Sequence, residues 1–232
     1  MNKNNGRELI NSLIYVGIIY SLSLVLWILW YFGFDRSITV QSGFFEKLLY
    51  NSDVFYFIIW FIPAFLLFLY ASLNRKRTVS SVIPFEQIFS KPISVRFVLF
   101  FIVIIFVIIL GIKLFRTGFD FSMVDINYGI VRSALYAAIT EEFIYRASYQ
   151  NVLRNKLNKH ITFLIVAVLF TISHIPIWIY GGIFVLVLRN GLFLIHFGLS
   201  LFFSFSFEKS KNIIVSMIFH FSWNLFARIF KV

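Results

Sequence analysis

None of the 232 residues is cysteine, which excludes disulfides, thiolate metal sites and a cysteine nucleophile together. Charge is scarce as well: 13 % of residues are charged and 60 % hydrophobic, far from the average soluble composition. The H-E-x-x-H zinc helix and the G-x-S-x-G nucleophile elbow are both missing, and so is a Gly-Asp pair of the kind an intramembrane aspartyl protease carries. Any chemistry must come from carboxylate, imidazole, amide or hydroxyl groups.

What the chain has in quantity is long apolar runs. A bilayer's hydrocarbon core needs about 20 apolar residues per helix. The sequence offers seven such stretches, near 10–33, 54–72, 97–115, 128–153, 161–179, 191–207 and 212–230. The fold class they predict is all-α, a polytopic transmembrane helical bundle of about seven helices in the cell membrane. The first helix is too long for a cleavable signal peptide and has no small-residue cleavage site, so it is expected to stay as an anchor.

With the N-terminus inside, the inner segments hold Lys3, Arg7, Arg75, Lys76, Arg77, Lys91, Arg96, Arg154, Lys156, Lys159, Lys209 and Lys211. The outer ones hold Arg36, Lys47, Lys113, Arg116, Arg189, Arg228 and Lys231. Twelve against seven places the N-terminus in the cytoplasm. The net charge of +11 is spread over short loops without a basic, aromatic-interleaved domain, so it fits the anionic lipid of the bilayer and not nucleic acid.

Residues 1–127 read as front membrane helices and a cytoplasmic loop, Asn74 to Arg96, with a packing and anchoring role. Residues 128–232 concentrate the polar groups that sit within spans. In "EEFIYR" (Glu141 to Arg146), Glu142 and Arg146 are four apart and pair on one helix face. Glu141 is rotated about 100° from Glu142 and falls in line with Ala134 and Ala138, small residues that admit a neighbouring helix. It is the carboxylate without a local partner, and it is expected to face another helix.

The fifth span carries "FTISH", with His174 four residues after Phe170 and Pro176 just beyond to loosen the helix. The seventh carries "HFSWN", with His220 and Asn224 on one face. Counted from the charged ends at about 1.5 Å per residue, Glu141, His174 and Asn224 lie roughly 20 Å deep and His220 roughly 14 Å. A carboxylate and two imidazoles at a shared depth can deprotonate water, hold a metal or polarise a carbonyl. His196, in the sixth span, has no motif around it and reads as a packing or hydrogen-bonding residue.

In this order on membrane spans, the three motifs resemble the E-E-x-x-x-R, F-x-x-x-H and H-x-x-x-N signatures of the CAAX protease and bacteriocin-processing family, also called the CPBP or Abi family. The resemblance covers about residues 128–228 and implies an α-helical intramembrane endopeptidase. Carried over, Glu141 would activate the attacking water with His174 beside it. His220 and Asn224 would stabilise the oxyanion or help hold a metal, and Glu142 and Arg146 would brace the site. A divalent metal such as zinc, at Glu141, His174 and His220, and a metal-free glutamate-activated water are both open at this point. The implied substrate is a hydrophobic peptide or membrane protein, as in bacteriocin or pheromone maturation or self-immunity to such peptides. The alternatives are a non-catalytic immunity or regulatory scaffold of the same fold and a proton-coupled transporter; the absence of inverted repeats argues against the latter.

Overall fold

Helices that must bury every polar backbone group internally are the expected solution in lipid, and the computed structural model, which describes residues 3–33, 54–55, 57–73, 79, 81–118 and 126–231, is helical with no strand among those residues. We number the helices α1 (Lys3–Gly33), α2 (Ile62–Leu73, entered through a π turn, Phe57–Phe61), α3 (Val95–Thr117), α4 (Tyr128–Glu142), α5 (Lys159–Ser173), α6 (Ile175–Tyr180), α7 (Phe184–Arg189), α8 (Leu192–Ser210) and α9 (Ile213–Ile229). Between α4 and α5 the chain runs on through a π-helical segment, Phe143–Gln150, and a last α turn, Asn151–Leu153.

Among the described residues, four stretches are long and apolar enough to cross a membrane: Gly6–Phe32, Val95–Arg116, Lys159–Tyr180 and Leu192–Ser210. Phe57–Leu73 and Ile213–Ile229 are shorter apolar helices. The expected span near 128–153 is a continuous helical rod, with Glu142 and Arg146 turned inward and Arg132 exposed. The chain is therefore a multi-pass membrane protein built as a helical bundle, with a face of exposed aliphatic and aromatic side chains such as Leu22, Leu29, Leu99 and Val103 suited to lipid.

Helix starts follow local chemistry. Asn127 Oδ1 accepts from the Ile130 amide, Asn158 Oδ1 from Ile161, and Asn212 Oδ1 from Ile214, at 3.1, 3.0 and 2.9 Å. Each satisfies one of the orphan donors that open a helix. The span predicted at 161–179 is two helices, because Pro176 at the start of α6 has no amide hydrogen to continue the ladder. The break falls on His174, which ends one helix and begins the next.

The π segment is the central column of the bundle. All eight of its residues are buried, packed against α2, α4, α5, α8 and α9. Its Ile144, Tyr145 and Tyr149 join Val16, Tyr20 and Trp27 of α1 in one apolar cluster, while Phe143 and Ala147 join Phe68 of α2 and Phe207 of α8 in another. A third cluster packs α3 against α8 and α9 through Ile105, Ile109, Phe203 and Phe219. The segment 81–94 is tied on by Asn151, whose side chain accepts from the Ile83 amide and donates to its carbonyl, both at 2.8 Å. Asn212 donates to the Lys91 carbonyl at 2.7 Å.

Candidate active site

The two adjacent glutamates fall at the junction of α4 and the π segment and part company there. Glu142 is fully buried, and its Oε2 lies 3.3 Å from Arg146 Nε. That is ion-pair distance, although neither atom meets hydrogen-bond geometry. Arg146, equally buried, donates through Nη2 to the Ser200 carbonyl and hydroxyl, both at 3.0 Å. Its guanidinium lies over the Phe170 and Phe203 rings at 5.2 and 5.5 Å, a favourable seat for a desolvated cation. The pairing expected four residues apart is thus formed, and it is extended into α8.

Glu142 has a second task. His220 of α9 donates from Nδ1 to Glu142 Oε1 at 2.8 Å, since a carboxylate can only accept, and its ring stacks on Phe203 at 4.8 Å and 16°. The other nitrogen, Nε2, is left bare and lies 3.8 Å from Glu141 Oε2. His174 is arranged the same way from the opposite wall. Its Nδ1 donates to the Phe170 carbonyl at 2.8 Å, and its Nε2 sits 4.0 Å from the same Glu141 oxygen.

Glu141 does face other helices, as its alignment with the fully buried Ala134 and Ala138 implied. Its Oε2 is buried without a hydrogen-bond partner. One carboxylate oxygen and two imidazole nitrogens therefore surround one small space, which a water, a shared proton or a cation would satisfy. Such an arrangement is costly inside a membrane unless it serves chemistry.

The residue types suit zinc: each imidazole has its far nitrogen tied to a carbonyl or carboxylate, as metal-ligating histidines do. The spacing does not. Ligands of a tetrahedral zinc stand about 3.3 Å apart at bond lengths near 2.0–2.1 Å. The gaps here are 3.8 and 4.0 Å, and among the described residues no group of three His, Asp or Glu side chains forms a metal site. The same gaps leave room for a water oxygen.

This space is the floor of a cavity of about 300 Å³. Asn224 lines it one helical turn beyond His220, so all six residues singled out by motif gather at this site or immediately behind it: Glu141, His174, His220 and Asn224 on the cavity, with Glu142 and Arg146 behind. Two features of the wall were not read from the sequence. Trp27 and Tyr31 of α1, a helix assigned only to packing and anchoring, form part of it. So does His196, whose Nδ1 donates to the Leu192 carbonyl at 3.1 Å and whose ring stands 5.0 Å from both His174 and Trp178. A depth count would have found it, since fifteen residues above Lys211 is about 22 Å, level with Glu141.

Residues 123–226 match the family model described as type II CAAX prenyl endopeptidase Rce1-like. No curated protein and no solved structure matches the chain. The matched region, which spans less than half of the chain, contains all three motifs and every cavity-floor residue described above, and it is by this region that the chain is similar to the CPBP/Abi family of membrane endopeptidases.

Proposed function

We propose that the protein hydrolyses a peptide bond of a membrane-associated, hydrophobic peptide or protein with a water activated by Glu141. The observation that supports this most strongly is the unpartnered Glu141 Oε2 between two bare imidazole nitrogens. A water placed there donates one hydrogen to Glu141 and one to His174, which aims an oxygen lone pair into the cavity. As that oxygen attacks the substrate carbonyl, Glu141 takes its proton, and it later returns the proton to the leaving amine.

Negative charge develops on the former carbonyl oxygen. His220 meets it as an imidazolium, with the Glu142 carboxylate on Nδ1 supporting the charge and Nε2–H directed forward, as a buried carboxylate does for histidine in serine proteases. The Asn224 amide supplies a second donor. Arg146 offsets the charge of Glu142 from the other side. The mechanism uses only the chain's own groups.

A cavity of about 300 Å³ is at the small end of ligand pockets. It takes a few residues of an extended peptide and excludes a folded domain. Maturation of a hydrophobic peptide, of the bacteriocin or pheromone kind, or self-immunity to such peptides, is the role we propose for it.

The test is cleavage of a panel of hydrophobic precursor peptides by the purified protein in lipid. Wild type is expected to cleave, and Glu141→Ala, His174→Ala and His220→Ala to abolish cleavage while remaining folded. Variants that keep full activity in cells would instead mark the constellation as structural and the protein as a binding scaffold.

A further inference from the structure

The proposed reaction employs His174 and His220 and leaves the third imidazole on the cavity, His196, without a task. Helix α8 brings it there by spacing. His196, Leu199 and Phe203 stand three and four residues apart and share the face that lines the cavity. Ser200 lies one turn, or about 6 Å, beyond His196. Arg146 donates to its carbonyl and its hydroxyl, both at 3.0 Å, which fastens this part of α8 to the π column.

The ring of His196 is held on three sides. Nδ1 donates to the Leu192 carbonyl at 3.1 Å, Trp178 meets the ring edge-on at 5.0 Å and 74°, and His174 stands 5.0 Å away at 57°. With the hydrogen on Nδ1, Nε2 of the neutral imidazole can only accept. Among the described residues none donates to it. It is not sealed into the packing as Glu141 Oε2 is, so it opens on the cavity.

A packing role would be served as well by phenylalanine, which α8 uses at 193, 197, 202, 203, 205 and 207. An acceptor kept at membrane depth is costly unless a donor comes to it. A bound peptide brings such donors, one N–H per residue other than proline, and each is costly to bury unpaired. At the reaction centre His174 faces the water, and His220 and Asn224 face the oxyanion, so none of these is left to accept from the peptide backbone. An extended chain advances about 3.3 Å per residue. A ring 5.0 Å from His174 is therefore within reach of the N–H groups beside the scissile bond and not of distant ones.

We propose that His196 is a substrate-binding residue whose Nε2 accepts a hydrogen bond from a backbone N–H of the peptide next to the scissile bond. The proposal rests on the endopeptidase reading for the identity of its ligand. It makes His196 a selector of backbone conformation. An α-helical segment engages its N–H groups internally, and proline has none. Substrates are accordingly extended or unwound around the scissile bond, with a residue other than proline at the recognised position.

The test removes N–H groups one at a time. The probes are a hydrophobic precursor peptide and its single-ester analogues, in each of which one backbone N–H near the scissile bond, but not within it, is replaced by oxygen. Wild type, His196→Phe and His196→Gln are compared in lipid. Phenylalanine keeps the ring against Trp178 and removes the acceptor, whereas glutamine puts an acceptor oxygen near the place of Nε2. His196→Leu serves as phenylalanine does if that protein does not fold. One ester position is expected to lower kcat/KM of wild type about ten-fold, chiefly through KM, and to lower that of His196→Gln in the same sense. His196→Phe is about ten-fold weaker on the all-amide peptide and indifferent to that ester. An ester effect equal in wild type and His196→Phe, or none at any position, overturns the inference.

Binding of the same peptides to Glu141→Gln, read by energy transfer from the protein's tryptophans to a dansyl group on the peptide, repeats the comparison without cleavage. A position-specific loss that adding His196→Phe erases, in a protein whose wild type cleaves nothing, leaves His196 as the acceptor of a binding scaffold and overturns the peptidase. Cleavage without a His196-dependent ester effect overturns the role of His196 and leaves the peptidase. If no peptide is bound or cleaved, both fall.

Discussion

Arg146→Met removes the cation of a pair in which both side chains are fully buried and leaves the Glu142 carboxylate unbalanced. Breaking a buried ion pair from one side costs about 3–5 kcal/mol, whereas replacing both charges by neutral groups of similar volume is often close to neutral. Arg146 also gives two hydrogen bonds to Ser200, whose carbonyl lies within α8 and keeps its helical role without them. Glu142→Gln alone strands the arginine and carries a similar penalty of about 3–5 kcal/mol. In the double variant Glu142→Gln/Arg146→Met, the glutamine oxygen still accepts from His220 and no net charge is buried, so stability returns to within about 1–2 kcal/mol of wild type. Denaturant unfolding in mixed micelles, followed by tryptophan fluorescence, measures all three. Catalysis does not recover with stability, because His220 loses the carboxylate that supports its imidazolium. Single variants within about 1 kcal/mol of wild type, or a double variant as unstable as the sum of the singles, would refute the argument that charge compensation holds this junction together.

Glu141→Gln keeps the shape of the site and removes the base; kcat falls by about 10²–10⁴, with the unfolding free energy unchanged, as steady-state cleavage and denaturation together report. Asn224→Ala deletes one donor to the developing oxyanion and lowers kcat by about 10²–10³ with little change in KM. His196→Ala widens the wall beside His174 without touching the reacting atoms, so KM rises more than kcat falls, a split read from the same kinetics. Dialysis against a strong chelator leaves the rate unchanged if water activation by Glu141 suffices; loss of activity that added zinc restores would place a metal among Glu141, His174 and His220.

Much of this site was legible because lipid makes polar residues conspicuous. A charged group inside a span has so few acceptable surroundings that the spacing of Glu142 and Arg146, and the alignment of Glu141 with two alanines, nearly dictated their directions. Apolar residues carry no such sign. Trp27 and Tyr31 face the cavity while Leu22 and Leu29 of the same helix face outward, and all four are equally at home in an apolar run. His196 escaped for a related reason: with its Nδ1 bonded within its own helix, nothing in its neighbours announced a partner from elsewhere. The π segment was hidden too, since Phe143–Gln150 has no composition that separates a five-residue ladder from a four-residue one; such turns recur where a functional site needs an altered helix.

Adjacency of the two glutamates is what makes the site economical. Successive residues on a helix share a depth and differ by about 100° in direction, so Glu141 and Glu142 present two carboxylates to two different surroundings from one backbone position. A single imidazole, His220, spans them: Nδ1 is held at 2.8 Å by the buried, arginine-balanced Glu142, and Nε2 stands 3.8 Å from the open Glu141. Moving either glutamate by one residue would turn it away from the ring and break the span. The consequence is directional. Exchanging the partners' roles, with glutamine at 141 or at 142, does not produce equivalent enzymes: the first loses the base and keeps His220 oriented, and the second keeps the base and loses the charge behind His220. Their pH–rate profiles should therefore differ in shape. Glu141→Gln loses the limb that depends on the base, and Glu142→Gln keeps that limb at a lower plateau, because the carboxylate behind His220 is gone. Identical profiles for the two variants would mean that the neighbouring carboxylates act as one pooled charge and that the division of labour between them is not real.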